Sequence, residues 1–260
     1  MKILLISGHG DGDPGASSKF GVEATETVVM VQKIKETLEN YAQVDLYPTN
    51  RNAFKDLGNG CCQVNFGNYD YVLEVHFNSC VNDLAGNGKT TGTEIYVTTA
   101  ERTVGVETKI VEKIAVLGLK NRGVKRENWR VIARAKASGT SSALLEVCFI
   151  DDKDDMQIYT AKKDQIAAAI ATAIAEQFGL KKNGNSGNQG NKGITVGSTV
   201  TIKDGAVYGG LSSARGKAVP TTQRGGKRHT VDKIQANNGV QEARLKEIKS
   251  WVAVSSLQAV

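Results

Sequence analysis

The first 180 residues contain two histidines, His9 in ISGHGDGDPGA and His76 in VLEVHFNS. Each follows a short apolar run, KILLIS before His9 and YVLEV before His76. Imidazole is the commonest side-chain metal ligand and the group best suited to moving protons near neutral pH. A catalytic zinc site needs about three protein ligands and an open position, and two histidines with one carboxylate is a common set. Glu23, at the start of the first expected helix, qualifies as the third ligand. Asp11 and Asp13, two and four residues after His9, compete with it. A glutamate at a helix start also has an ordinary explanation, since the helix dipole favours negative charge there. Asp11 equally suits a group that braces His9 or its loop from outside.

Glu146 lies in SALLEVCFI, flanked by Leu144, Leu145, Val147, Cys148 and Phe149. Burying a carboxylate among such neighbours is costly without a partner. A metal-activated water is one such partner, and Glu146 is then its general base. The other reading is a strand-end glutamate turned to solvent, and Glu74 in YVLEV reads as a residue of that kind. Gly8 and Gly10 flank His9 and leave room for an ion and a substrate to come close.

These residues need a frame that brings them together. KILLIS (2–7) has the continuous apolar character of a strand buried on both faces. Residues 24–40 place Val28, Val31, Ile34 and Leu38 at near-helical spacing. Further strands are expected at 44–49, 71–79, 93–99, 129–135 and 142–150, with helices at 103–118 and 155–178. The alternation predicts an α/β domain with a mostly parallel or mixed central sheet and helices on both faces. Such sheets place their sites beyond the carboxyl ends of the strands, where His9 and His76 stand.

Residues 181–193, KKNGNSGNQGNKG, contain no apolar residue and read as a flexible Gly/Asn-rich linker between domains 1–180 and 194–260. Beyond it, ITVGSTVTI, HTVDKIQ and SWVAVSSLQ alternate apolar with polar residues between glycine-rich turns, which predicts a small all-β antiparallel barrel. Residues 194–260 carry ten Lys/Arg against four Asp/Glu, whereas residues 1–180 carry 20 against 23. A basic end suits a polyanion, although a charge run is also an ordinary solvated face. Attraction to an anionic polymer implies binding that weakens as salt screens the charge. Cys61, Cys62, Cys80 and Cys148 suit neither a disulfide framework nor a CxxC zinc site, and read as free buried thiols in a reducing compartment. Lys2 is followed by only four apolar residues before Ser7, too few for a signal peptide. No apolar run approaches the length of a membrane span.

GHGDGDPGA resembles the GHGGxDPGA signature of the zinc-dependent N-acetylmuramoyl-L-alanine amidases, the amidase-3 family. Glu23 stands at that family's helix-start glutamate ligand, HFNS matches its HxNS/A motif, and LLEVCFIDD resembles its LxExGFxxN motif. The order His, Glu, His, Glu agrees over about residues 1–178. The resemblance implies hydrolysis of the peptidoglycan amide that joins N-acetylmuramic acid to L-alanine of the stem peptide. It implies one Zn²⁺ held by His9, Glu23 and His76, with Glu146 moving the proton from water to the leaving amine. Asn78 would hydrogen-bond the peptide, and Asp11 and Asp13, which match the signature, are assigned to bracing the loop rather than to the metal. Two departures stand out. Residues 51–70 differ from the family's usual Arg- and Ala-rich helix, and Cys148 replaces the glycine of the last motif.

The tail resembles the SH3-like wall-binding modules of clostridial and phage lysins, with an anionic or carbohydrate wall polymer as partner. An amidase joined to such a module and lacking a signal peptide resembles a phage endolysin. Such an enzyme is made in the host bacterial cytoplasm and reaches the wall through a holin pore. Other classes fit less well. The zinc carboxypeptidase motif HxxE sets its His and Glu three apart, whereas His9 and Glu23 are fourteen apart. A zinc peptidase acting on the stem peptide and a non-catalytic wall-binding protein on an amidase fold remain as alternatives, the latter weakened because no ligand is missing. A nucleic-acid partner is not expected. Arg215, Lys217, Arg224, Lys227 and Arg228 are accompanied only by Tyr208 and Trp251 for base stacking. His229 has no metal-binding neighbour and reads as a barrel residue.

Overall fold

The computed structural model describes residues 1–182, 194–237 and 240–260. The chain divides into two compact units, Met1–Lys182 and Asn183–Val260. Of the expected linker, residues 183–193 lie outside the described residues.

In chain order the first unit comprises β1 (Lys2–Ser7), the short pair β2 (Ser17–Ser18) and β3 (Gly21–Val22), α1 (Glu23–Leu38), β4 (Gln43–Leu46), α2 (Ala53–Gly58) and β5 (Tyr71–Asn78). It continues with β6 (Thr93–Val97), α3 (Gly105–Val116), β7 (Asn121–Arg126), α4 (Arg130–Ala137), β8 (Ser141–Phe149) and α5 (Lys153–Gln177). Six strands form one sheet in the order β4-β1-β5-β8-β6-β7. All neighbours are parallel except β6 and β8, which run antiparallel, so the sheet is mixed.

Strand alternation divides the sheet into two faces. Ile3 and Leu5 of β1, Leu73, Val75 and Phe77 of β5, and Leu145 and Val147 of β8 join α1, α3 and α5 in the larger apolar core. The opposite face starts apolar, with Leu4, Ile6 and Val72 packed against Ala53 of α2 and Val131 and Ala135 of α4. Continuing along that parity toward the strand ends, the side chains become Glu74 and His76 on β5 and Glu146 on β8. The sheet therefore spends one face on stability and the far end of the other on polar groups.

The expected strand at 129–135 is instead helix α4. WRVIARA alternates apolar and charged residues locally, but Val131, Ile132 and Ala135 are the buried set, and that spacing is one helical face. Helix α2 and strand β7 carry too few apolar residues to announce themselves. β7 is a sheet edge built from NRGVKR, and charge on an edge strand discourages pairing with other chains.

The second unit comprises β9 (Thr199–Ile202), β10 (Arg228–Asn237), β11 (Val240–Leu245), β12 (Ser250–Ala253) and β13 (Leu257–Ala259). These form a five-stranded antiparallel sheet in the order β12-β11-β10-β9-β13. Val200, Ile202, Val219, Val231, Ala243, Leu245, Val252 and Leu257 build its core. SWVAVSSLQ, expected as one strand, is broken by a short 3₁₀ turn at Val254–Ser256 into β12 and β13. His229 is buried within this unit, its Nε2 2.8 Å from the Gln223 carbonyl oxygen. Among the described residues no helix is long and apolar enough to cross a membrane.

Candidate active site

The loop after β1 holds His9 in the left-handed region, with φ of 63°, and Gly10, Asp11 and Gly12 follow with φ of 96°, 51° and 78°. Such angles cost a residue with a side chain of order 1–3 kcal/mol and persist where the surroundings over-determine them. Here the Gly10 N–H donates to the Asp13 carbonyl at 2.9 Å and the Asp13 N–H returns to the Gly10 carbonyl at 3.1 Å. Two other glycines make the close approaches. A Cβ at Gly8 would stand 2.3 Å from the His76 ring, and one at Gly15 would stand 2.6 Å from Glu23 Oε2 and 2.7 Å from His9. Gly8 thus makes way for the second histidine as well as flanking the first.

Five side chains then form a row of alternating carboxylates and imidazoles. Asp13 Oδ2 is 3.1 Å from His9 Nδ1, and His9 Nε2 is 3.2 Å from Glu23 Oε2. Glu23 Oε1 is 3.0 Å from His76 Nδ1, and His76 Nε2 is 3.2 Å from Glu74 Oε1. The two imidazoles meet edge to face, with ring centroids 4.9 Å apart. Donor atoms of His9, Glu23 and His76 all lie within 4.8 Å of one another. Glu23 also accepts the Ala16 N–H at 2.8 Å and the Phe77 N–H at 3.0 Å, so the backbone of two separate segments fixes its carboxylate. Burial opposes its ionisation, but hydrogen bonds from His76 and His9 outweigh that and hold Glu23 well below the usual carboxylate range. Hydrogen bonding to Glu23 correspondingly raises His9.

Glu146 lies beside this row. In register it faces His76 on β5 and Glu94 on β6. It is 6% exposed, and its Oε2 is buried without a hydrogen-bond partner. Burial pushes its carboxyl up to about 7. Neighbouring Glu94 is buried too, but it is satisfied by Arg122, by Lys125 Nζ at 2.6 Å, by the Tyr96 hydroxyl at 2.8 Å and by Asn78 Nδ2 at 2.9 Å.

The structure thus brings His9, Glu23, His76 and Glu146 to one end of the sheet. Asn78 follows on the same strand, with its Nδ2 donating to Glu94 and its Oδ1 accepting the Ser79 N–H. Of the two aspartates expected to brace the loop, Asp13 reaches the His9 ring with its carboxylate and Asp11 does not. Asp11 meets Lys55 Nζ through its backbone carbonyl, whereas Asp13 reaches the His9 ring and is itself held by Asn52 Nδ2 at 3.1 Å. Glu74, expected at solvent, is 4% exposed and faces His76. Its parity with His76 was the available signal, because residues two apart on a strand share a face. A cleft of about 250 Å³ runs along this side, lined by His9, Asp13, Glu74, His76, Phe54 and Trp129 among others. Of the four thiols expected to be free and buried, Cys148 alone is buried, in the larger core on the opposite face near Met156, whereas Cys61 and Cys80 on loops are exposed and Cys62 is half-buried.

The model of a family described as N-acetylmuramoyl-L-alanine amidase matches residues 3–176. An uncharacterized protein of Clostridium perfringens, CPE1502, is 30% identical over 185 residues, covering 68% of this chain and 52% of its own length. The chain therefore spans about half of that relative. A sporulation-specific N-acetylmuramoyl-L-alanine amidase of Bacillus subtilis is 29% identical over 194 residues, which is 72% of each protein. Among solved structures, the catalytic domain of the CD27L endolysin targeting Clostridia difficile shares the fold, with a TM-score of 0.54 and 23% identity over 68% of this chain and 97% of that domain.

Proposed function

Since the chain belongs to the N-acetylmuramoyl-L-alanine amidase family, we propose that it is a zinc-dependent hydrolase of peptidoglycan, cleaving the amide between N-acetylmuramic acid and L-alanine of the stem peptide. The observation that carries this reading is the convergence of two imidazoles and one carboxylate within 4.8 Å, beside a buried glutamate with an unpartnered oxygen.

The residues present suit one zinc ion. The donor set, two histidines and a glutamate, is a three-ligand set of catalytic zinc sites. Gly8 and Gly15 leave the space in which the donor groups crowd together. When bound, zinc polarises the scissile carbonyl and makes water acidic enough to attack near neutral pH. Glu23, fixed by two backbone N–H groups, supplies the negative charge that such a cation requires. Glu146 accepts the proton of the attacking water and delivers it to the leaving amine, a task for a carboxylate that stands beside the metal ligands with an oxygen free of internal partners. Asn78 holds Glu94 in place and retains a second amide hydrogen with which to meet the peptide.

The second unit is read as an SH3-like module that binds an anionic or carbohydrate polymer of the cell wall. Its excess of ten Lys/Arg over four Asp/Glu and its antiparallel sheet support this reading. Catalytic and wall-binding units in one chain make the protein a phage endolysin in this account, synthesised in the host cytoplasm and released to the wall through a holin-type pore.

The test is to incubate purified muropeptide with the protein and with Glu146→Ala. New free L-alanine amino termini are expected with the wild type alone. Their absence with the wild type, or their equal appearance with the variant, would overturn the mechanism. Activity that survives exhaustive chelation would overturn the zinc assignment separately.

A further inference from the structure

Glu74 precedes His76 by two positions on β5, so alternation turns both side chains to the same face. Its register neighbours are Ile6 on β1 and Leu144 on β8, both apolar. A carboxylate that is 4% exposed between two such strands needs a polar partner. The His76 ring stands beside it, with Nε2 3.2 Å from Glu74 Oε1, an ion-pair distance at which no hydrogen bond is formed in the metal-free fold. The other nitrogen of the ring, Nδ1, faces Glu23 at 3.0 Å.

A neutral imidazole carries one N–H and one lone pair, so an acceptor at one nitrogen decides where the lone pair points. We infer that Glu74 is a positioning residue for the metal centre. Closing the 3.2 Å contact into a hydrogen bond when the site is loaded, it accepts the Nε2–H of His76, fixes that tautomer and ring orientation, and so presents the Nδ1 lone pair to a divalent cation. This rests on the zinc reading above. His9 has the mirror arrangement, in which Asp13 engages Nδ1 and leaves Nε2 toward Glu23. The two histidines therefore offer opposite ring nitrogens, and each outer carboxylate lies on the wall of the same cleft. Gly8 adds a second restraint, because the His76 ring packs where a Cβ would stand. Backbone sterics hold the plane of the ring, and Glu74 selects its tautomer.

The inference is tested by titrating the purified protein, Glu74→Gln and Glu74→Ala with zinc against a competing chelator, and by reading the His76 ring ¹⁵N shifts in the zinc-loaded samples. Glu74→Ala is expected to bind zinc about 10–100-fold more weakly, the usual effect of removing a group that orients a metal-binding histidine. Glu74→Gln is expected between the two, since its amide oxygen still accepts from Nε2–H. The wild-type shifts should show metal at Nδ1 and hydrogen at Nε2, with that pattern lost or mixed in the alanine variant. Zinc binding as tight as wild type in folded Glu74→Gln and Glu74→Ala, or metal at Nε2 of wild-type His76, overturns the role of Glu74. Should the alanine variant fail to fold, the glutamine variant decides by the same measurements, and wild-type affinity overturns the role. A wild type that binds no zinc overturns the zinc reading itself, and this inference with it.

Discussion

Glu146 in the first unit and Glu242 in the second are buried to nearly the same degree, 6% and 3% exposed, and their surroundings treat them in opposite ways. Glu242 accepts the Gly210 N–H at 2.7 Å, the Leu211 N–H at 2.9 Å and Asn237 Nδ2 at 3.2 Å. Burial opposes its ionisation, but the Leu211 N–H, Asn237 and the Gly210 N–H together lower its pKa. Gly209 lies so close that a Cβ there would be 2.3 Å from Glu242 Oε2. Glu146 has an oxygen with no partner, and its carboxyl rises to about 7. Burial alone therefore does not mark a catalytic carboxylate. The distinction lies in whether the fold has already provided its partners. Glu242 holds a turn to a strand, whereas Glu146 keeps an oxygen that the fold leaves without a partner, as the proposed general base requires.

The largest effect that could break this contrast is metal removal. Exhaustive chelation is expected to abolish release of L-alanine amino termini, with activity restored by added zinc. The second unit should be indifferent, so its thermal unfolding is expected at the same midpoint with and without chelator. A chelator-dependent shift in that midpoint would argue against the division of roles.

Next in size is Glu146→Gln, expected to lower hydrolysis by about 10³-fold, within the usual range for a general base. Far-ultraviolet circular dichroism should be unchanged, because the substitution strands no internal partner. Glu242→Ala should do the reverse. Hydrolysis of soluble muropeptide is expected to stay near wild type, while the second unit loses about 2–3 kcal/mol as buried donors are left without an acceptor. Glu146→Gln retaining more than a tenth of wild-type activity would remove Glu146 from the mechanism.

The same pair separates by pH, with opposite signs. The Glu146 carboxyl is raised from 4.5 to about 7 in the metal-free fold, so the folded state binds more protons than the unfolded chain between those values. Its contribution to stability therefore falls as pH rises through that window. Glu242 is lowered from 4.5, so its contribution is present above that value and is lost as pH falls through the folded pKa. In metal-free protein, Glu146→Gln should remove a downward slope of first-unit stability between about pH 4.5 and 7. Glu242→Gln should flatten the acid limb of the second unit. Unfolding midpoints measured across pH in both variants test the two signs together.

The contrast also shows which parts of the molecule could be read from sequence. β1, β5 and β8 are apolar over most of their length, so KILLIS, YVLEV and SALLEV identify the central strands and place His9, His76 and Glu146 at one end. Glu23 follows from its place at the start of α1. Helix α4 was obscured because its buried residues, Val131, Ile132 and Ala135, also satisfy a short strand pattern. The partners of Glu242 were not legible, since two are backbone N–H groups from a turn more than thirty residues away in sequence. Nor could spacing choose between Asp11 and Asp13. That choice depends on a run of left-handed backbone from His9 to Gly12, which turns Asp13 back onto the histidine.

That last distinction carries the smallest expected effect and sharpens the contrast most finely. Asp13 is partly exposed, unlike Glu146 and Glu242, and shares its Oδ2 between His9 and Asn52. Asp13→Asn places an amide opposite His9 Nδ1, so the Nδ1–H tautomer is still accepted by an oxygen but without the negative charge. Zinc affinity is expected to fall by about tenfold, the lower end for a group that orients a metal-binding histidine. Asp11→Asn is expected to leave it unchanged, because Asp11 meets Lys55 through its backbone carbonyl. Equal losses in the two variants would mean that the loop as a whole, and not the Asp13 carboxylate, orients His9.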